Sequence, residues 1–192
     1  ELHRISQMTF RSLDVSVVLD MMIHDLDLLQ MLIGAEPTDI QASGVPVLSE
    51  AIDVCNARLT FPPGEGGFSP VANVTASRLA LKTERKIRII GEDLYLSADF
   101  ATRSGTVVRH SSNADRIEEL RTRIQNGEDL SDVNYLELVE FEELDVKDEE
   151  PLRLQEEDFL HNVRTKTRPT IDAEAGFAAV RTAERVLESA RL

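Results

Sequence analysis

The chain of 192 residues holds a single cysteine, Cys55, which excludes an internal disulfide framework and suits a reducing cytoplasm, its expected location. Basic charge is also scarce. Lys and Arg number 21 against 35 Asp and Glu, a net charge of −14. Such a balance argues against a nucleic-acid partner or an anionic-membrane partner. No apolar run reaches the length of a membrane-spanning helix, and no basic leader precedes an apolar segment, so neither a membrane anchor nor a secretory signal is expected. Internal repeats, low-complexity tracts and a second domain boundary are missing as well. With 42% hydrophobic residues, positions 1–192 read as one domain with a core of its own. The first residue is Glu1 and the chain opens inside a strand, as expected for a piece of a longer protein. The acidic excess concentrates between Ser111 and Leu160, with 17 acidic and 5 basic residues, and reads as a solvated surface.

What is present is organised around Ser16 to Gly34, SVVLDMMIHDLDLLQMLIG. The stretch is strongly apolar, yet Asp20, His24 and Asp27 interrupt it at spacings of four and three. Those spacings put the three side chains on one face of an α-helix. Burying ionisable groups is costly unless they are paired or have a task. The residues alone leave three readings open: a core histidine satisfied by a carboxylate, a divalent-cation site, and a catalytic His–Asp pair. Asp14 or Ser16 can cap the helix, and Gly34 with Pro37 beyond it stops it.

Strands are predicted on either side. Glu1 to Phe10 leads toward the helix, with Arg4 and Arg11 flanking its end. Either arginine can meet an anionic part of a substrate, such as a phosphate, or form an ordinary salt bridge. Thr38 to Leu48 reads as a bent or edge strand because of Gly44 and Pro46. Ile52 to Phe61 and Pro70 to Leu81 form an antiparallel hairpin around PPGEGGFSP. That turn is not a phosphate loop, since no helix follows it to present free N–H groups. Arg85 to Ile90, Leu94 to Phe100 and Gly105 to His110 continue the sheet, and Leu136 to Val146 reads as an acidic edge strand. Helices are expected at Ala114 to Asn126, Gln155 to Thr165 and Ala173 to Arg191. Locally paired strands followed by helices predict an α+β fold, a mostly antiparallel open sheet with helices on one face.

The run Asp20-Met21-Met22-Ile23-His24 resembles the Asp-x-x-x-His motif of the Gfo/Idh/MocA oxidoreductases. RISQMTFRSLDVSVVLD before it, then VANVTASRLA, RKIRIIGEDLYLSADF and the tail from Asp158 to Leu192 follow in family order and cover nearly the whole chain. The resemblance implies the second, C-terminal domain of such an enzyme. The family's N-terminal Rossmann domain, with its Gly-rich loop and Glu-Lys-Pro motif, is absent from this sequence. It implies oxidation of a secondary alcohol of a sugar, nucleotide sugar or cyclitol. NAD or NADP would be the oxidant, held mainly by the missing domain. VVLDMMIHDLDLL is most similar to the nucleotide-sugar-oxidising members.

On the same resemblance His24 takes part in proton transfer, Asp20 binds substrate hydroxyls and supports it, and a lysine of the other domain shares the work. A base near its own pKa at working pH suits histidine. Asp27, Arg11 and Arg4 are assigned to substrate binding. The resemblance further implies a homo-oligomer formed through the open sheet face. A reading of another class stays beside it, a non-catalytic oligomerisation or sugar-binding module that kept the fold.

Overall fold

The computed structural model describes residues 1–64, 66–92, 94–110, 114–131, 133–134 and 139–190. The elements run in the order β1 (Leu2–Ile5), a π-helical turn (Val18–Met22), α1 (Ile23–Ile33), β2 (Asp39–Val45), β3 (Val54–Thr60), β4 (Val71–Ser77), β5 (Glu84–Ile90), β6 (Leu94–Asp99), β7 (Ser104–His110), α2 (Ala114–Gln125), β8 (Val139–Glu143), α3 (Pro151–Thr165) and α4 (Ala173–Ala190). The fold is α+β with a mixed, mostly antiparallel sheet. The chain forms two compact units, one of Glu1–Lys86 with Lys147–Leu192, the other of Ile87–Val146.

In the first unit alternation decides which face is buried. Cys55, Ala57 and Leu59 of β3 point inward, opposite Ala76, Val74 and Ala72 of β4. Asn56 and Arg58 point outward, where Thr75 donates to Asn56 (2.9 Å) and Arg58 donates to Asn73 (3.0 Å). This open face is therefore polar, built from Gln41, Ser43, Asn56, Arg58, Asn73 and Thr75. The inward face is covered by helix. Helix α4 packs on α1 and β2, and the π-turn packs on β4. Val17, Val18, Met22, Leu26, Leu59, Phe61 and Val186 are fully buried in that layer, each contributing about 1.5–3 kcal/mol of transfer free energy. Ser189 stitches α4 to β2, donating to the Ile40 carbonyl (3.1 Å) and accepting from the Ala42 N–H (2.9 Å).

Cys55 lies within this core, and burial pushes its thiol up to about 11. Only the thiolate reacts quickly. A disulfide reagent at mildly alkaline pH should therefore leave Cys55 untouched in the native protein and label it at once after denaturation. Fast labelling under native conditions would contradict this packing.

The β3–β4 hairpin and the edge position of β2 agree with the sequence pattern, and β1 departs from it. Only four residues of the predicted Glu1–Phe10 strand pair, and they run parallel to β4, Leu2 opposite Val74 and Ile5 opposite Ser77. Beyond Ile5 the chain turns away, with Phe10 and Ser12 at positive φ. β2 stops at Val45, before Pro46, which has no N–H to give a ladder.

The predicted single helix is two pieces. Ser16 caps it, its hydroxyl accepting from the Val18 N–H (3.2 Å). The first turn is π, and α geometry begins only at Ile23. Gly34 ends it in the left-handed region, φ 73°, where its N–H reaches the Gln30 carbonyl. α3 starts four residues earlier than its apolar spacing indicates. Pro151 occupies the first turn and the Glu150 carboxylate accepts from the Arg153 N–H. Asp172 caps α4 through the Ala175 N–H (2.9 Å).

In the second unit β6, β7 and β8 form an antiparallel meander, Leu94 opposite Arg109 and Val108 opposite Phe141. The Asp99 carboxylate closes the β6–β7 turn by accepting from the N–H groups of Ala101 and Thr102. The predicted strand from Leu136 is described only from Val139; residues 136–138 lie outside the described residues. Among the described residues, no helix is long and apolar enough to cross a membrane.

Candidate active site

Strand β1 and the first turns of the helix define a cleft of about 580 Å³, lined by Arg4, Ile5, Ser6, Asp20, Met21, His24, Thr83 and Arg85. All of them belong to the first unit. Asp20 and His24 are both exposed into it, one turn apart, so neither is the satisfied core residue that the apolar stretch allowed. Their placement comes from the winding of the helix. Val18, Met22 and Leu26 are buried, and that leaves Asp20 and His24 on the opposite, solvent-facing side.

Asp27 lies on α1 three residues beyond His24 and does not line this cleft. It lines a separate groove of about 970 Å³ between α1 and α4, with Gln30, Phe177 and Arg181 among its neighbours. Asp20, His24 and Asp27 are not brought together as a set of three, and no metal-holding group of three or more His, Cys, Asp or Glu occurs among the described residues.

The two arginines separate as well. Arg4 is in the cleft, but its guanidinium is engaged: Nε donates to Asp25 at 3.0 Å and an Nη at 2.7 Å. Asp25 is 3% exposed. A bidentate charge-assisted pair of this kind locks β1 against α1. Arg11 is exposed in the loop after β1 and is not among the residues lining the cleft.

Asp25 is a weaker candidate in the sequence, because it sits inside a His-Asp-Leu-Asp run where nothing in the spacing distinguishes it. Two further residues that matter to the site were not singled out by the sequence pattern. Asp53 and Arg78 form a buried centre just behind the loop leading to the helix. Asp53, with no exposure at all, accepts from the N–H groups of Val47 (2.9 Å), Leu48 (2.7 Å) and Ser49 (3.0 Å) and from the Ser49 hydroxyl (2.8 Å). Burial alone would raise its pKa. These four donors outweigh burial and hold the carboxyl well below the usual carboxylate range. Arg78 lies 3.6 Å from it and donates to the carbonyls of Ser12 (2.8 Å) and Val15 (2.5 Å). The segment that delivers Asp20 and His24 is thus fastened to a buried ion pair.

The sequence profile of an oxidoreductase family's C-terminal alpha/beta domain, Gfo/Idh/MocA, matches residues 10–192. The chain belongs to this family. Among curated Gfo/Idh/MocA relatives it is 42% identical over 100 residues to UDP-N-acetylglucosamine 3-dehydrogenase of Acidithiobacillus ferrooxidans, a match spanning 52% of this chain and 30% of that protein. The solved structure of UDP-N-acetylglucosamine 3-dehydrogenase GnnA from Acidithiobacillus ferrooxidans agrees with a TM-score of 0.79 at 29% identity, over 98% of this chain and 53% of that one. The WlbA dehydrogenase from Bordetella pertussis, solved with NADH and UDP-GlcNAcA, shares the fold at a TM-score of 0.62 and 16% identity, over 99% of this chain and 50% of that one. The chain thus spans about half the length of the solved Gfo/Idh/MocA proteins it matches.

Proposed function

We propose that this chain is the substrate-binding half of an NAD(P)-dependent dehydrogenase that oxidises a secondary alcohol of a sugar or nucleotide sugar. The observation that carries this reading is the cleft where Asp20 and His24 stand exposed side by side. The match to a UDP-N-acetylglucosamine 3-dehydrogenase narrows the substrate toward nucleotide sugars.

His24 is the group that takes the hydroxyl proton, since its imidazole is reachable from solvent and unburdened by another partner among the described residues. Asp20 accepts a hydrogen bond from a substrate hydroxyl and keeps the alcohol against His24. The Arg4–Asp25 pair holds β1, and with it the cleft wall, at a fixed distance from the helix.

The described residues do not by themselves fit a dinucleotide. The glycine-containing turn between β3 and β4 closes on itself, with Phe61 donating to Pro70 and Gly64 to Phe68. It leads into a strand rather than a helix, so it presents no set of free N–H groups to a diphosphate. NAD or NADP is assigned to residues outside those described.

The test is direct. The full-length protein carrying this chain should reduce NAD⁺ or NADP⁺ when given UDP-N-acetylglucosamine or a related sugar alcohol, read by the absorbance of the reduced nicotinamide. No reduction with any sugar or cyclitol tried, in protein that binds the cofactor, would overturn the reading.

A further inference from the structure

We propose that Arg85 is a specificity-determining residue of this cleft, binding an anionic oxygen group, phosphate or carboxylate, carried by the sugar substrate. This rests on the functional reading above and names the substrate class more closely.

Most cations near the cleft are already committed. Arg4 has given its fork to Asp25. On β5 and the turn before it, Lys82 and Lys86 both pair with Glu84, the latter at 3.5 Å. The Lys82 ammonium, hydrogen-bonded to Glu84, holds that carboxyl below its ordinary value. Arg85, between Glu84 and Lys86, points to the other side of the strand and lines the cleft with Asp20 and His24. Among the described residues its side chain has no hydrogen bond or ion pair. The chain carries 35 acidic residues against 21 basic ones, so a carboxylate partner for an arginine is easy to supply. Arg4, Arg109, Arg168 and Arg181 all have one. An exposed guanidinium left open in a concave wall beside an acid and a base is a binding group in waiting.

Chemistry fixes what it would take. A guanidinium presents a planar fork of N–H donors that matches two oxygens of a phosphate or carboxylate, a geometry an ammonium does not reproduce. Held there, an anion on one part of the substrate fixes where the ring hydroxyls fall relative to Asp20 and His24. Arg85 in this role acts on binding and does not move a proton.

The experiment uses the full-length protein as wild type, Arg85→Ala and Arg85→Lys. Three probes are compared: UDP-N-acetylglucosamine, glucuronate and neutral N-acetylglucosamine. Arg85→Ala should raise KM for an anionic probe about tenfold or more, as expected for losing a charge-assisted pair. It should leave kcat/KM for the neutral sugar, which carries no anion for Arg85 to hold, nearly unchanged. Arg85→Lys should fall between. An effect confined to UDP-N-acetylglucosamine identifies a phosphate, and one confined to glucuronate a carboxylate. Unchanged KM for both anions, or an equal loss for the neutral sugar, would overturn the proposal. If the wild type turns over none of the three, the dehydrogenase reading fails on its own. Arg85 is then judged by calorimetric binding of the two anionic probes: weaker binding in Arg85→Ala supports it, and equal binding or none by the wild type sinks it.

Discussion

Replacing His24 with Asn in the full-length protein is expected to lower kcat by about 10²–10⁴-fold, the usual worth of a positioned acid–base group, with little change in thermal stability. Both halves of that expectation have one structural origin. His24 is exposed in the cleft and has no intramolecular partner among the described residues, so removing it opens no cavity and strands no buried group. An exposed position of that kind tolerates substitution to within about half a kcal/mol. A large loss of turnover in a normally stable variant is then chemical in origin. Asp20→Asn separates the roles further. It keeps the size and a hydrogen-bonding amide but removes the charge, so its effect should be smaller than that of His24→Asn and should show in KM as well as kcat. Wild-type turnover in a correctly folded His24→Asn protein would remove His24 from the mechanism.

The largest effect on stability is expected at Asp53. Asp53→Ala should cost about 3–5 kcal/mol, because it leaves a buried cation without its counter-charge and takes the acceptor from three backbone N–H groups. Arg78 Nε already lacks a hydrogen-bond partner and depends on the charge 3.6 Å away. Ser49→Ala, which removes only one of four donors to the carboxylate, should cost about 1 kcal/mol. The pH dependence has a definite sign. The folded pKa of Asp53 lies below its unfolded value, so its contribution is fully present above the unfolded carboxylate value of about 4. It is lost as pH falls from there toward the folded value. Wild-type stability should therefore decline through the acid range more steeply than that of Asp53→Asn. Chemical denaturation of the full-length protein at several pH values, followed by the exposure of Cys55, measures both quantities. Equal acid sensitivity in the two proteins would show that the Asp53 carboxylate does not carry this stability.

The fold was legible where one face of an element is buried and the other wet. In β3 the alternation of Ala57 and Leu59 with Asn56 and Arg58 was legible, while Cys55 fell on the one slip in the pattern and its burial was not. The helix was legible from its apolar density and Gly34, and Asp20 and His24 from their spacing. The π-turn was not, because an extra residue in a turn leaves no mark on composition. Asp27 was placed by its spacing on the stripe of Asp20 and His24, but it lines the groove toward α4 instead. Asp53 was hidden differently. It reads as the polar partner of Ile52 and Val54 in an alternating strand, yet the strand begins one residue later and the carboxylate turns inward to gather the backbone of residues 47–49. Arg4 could be recognised as a residue near the site but not as one already committed, since its partner Asp25 is distant in sequence and surrounded by other acids. Arg85 looked like the polar half of an amphipathic strand, which it is. What the pattern lacked was the identity of the surface that half faces.

The parallel pairing of β1 with β4 bears on the order in which the molecule assembles. The β3–β4 hairpin closes over a short turn and can form early. β1 has no such local neighbour. It can dock only once β4 exists, and the closure between Leu2 and Val74 carries the entropy of a long loop. Arg4 rides on that strand, so the wall of the cleft is set in place by a contact between segments far apart in sequence. A chain arrested before that step would hold His24 and Asp20 on a helix without the β1 side of the cleft facing them.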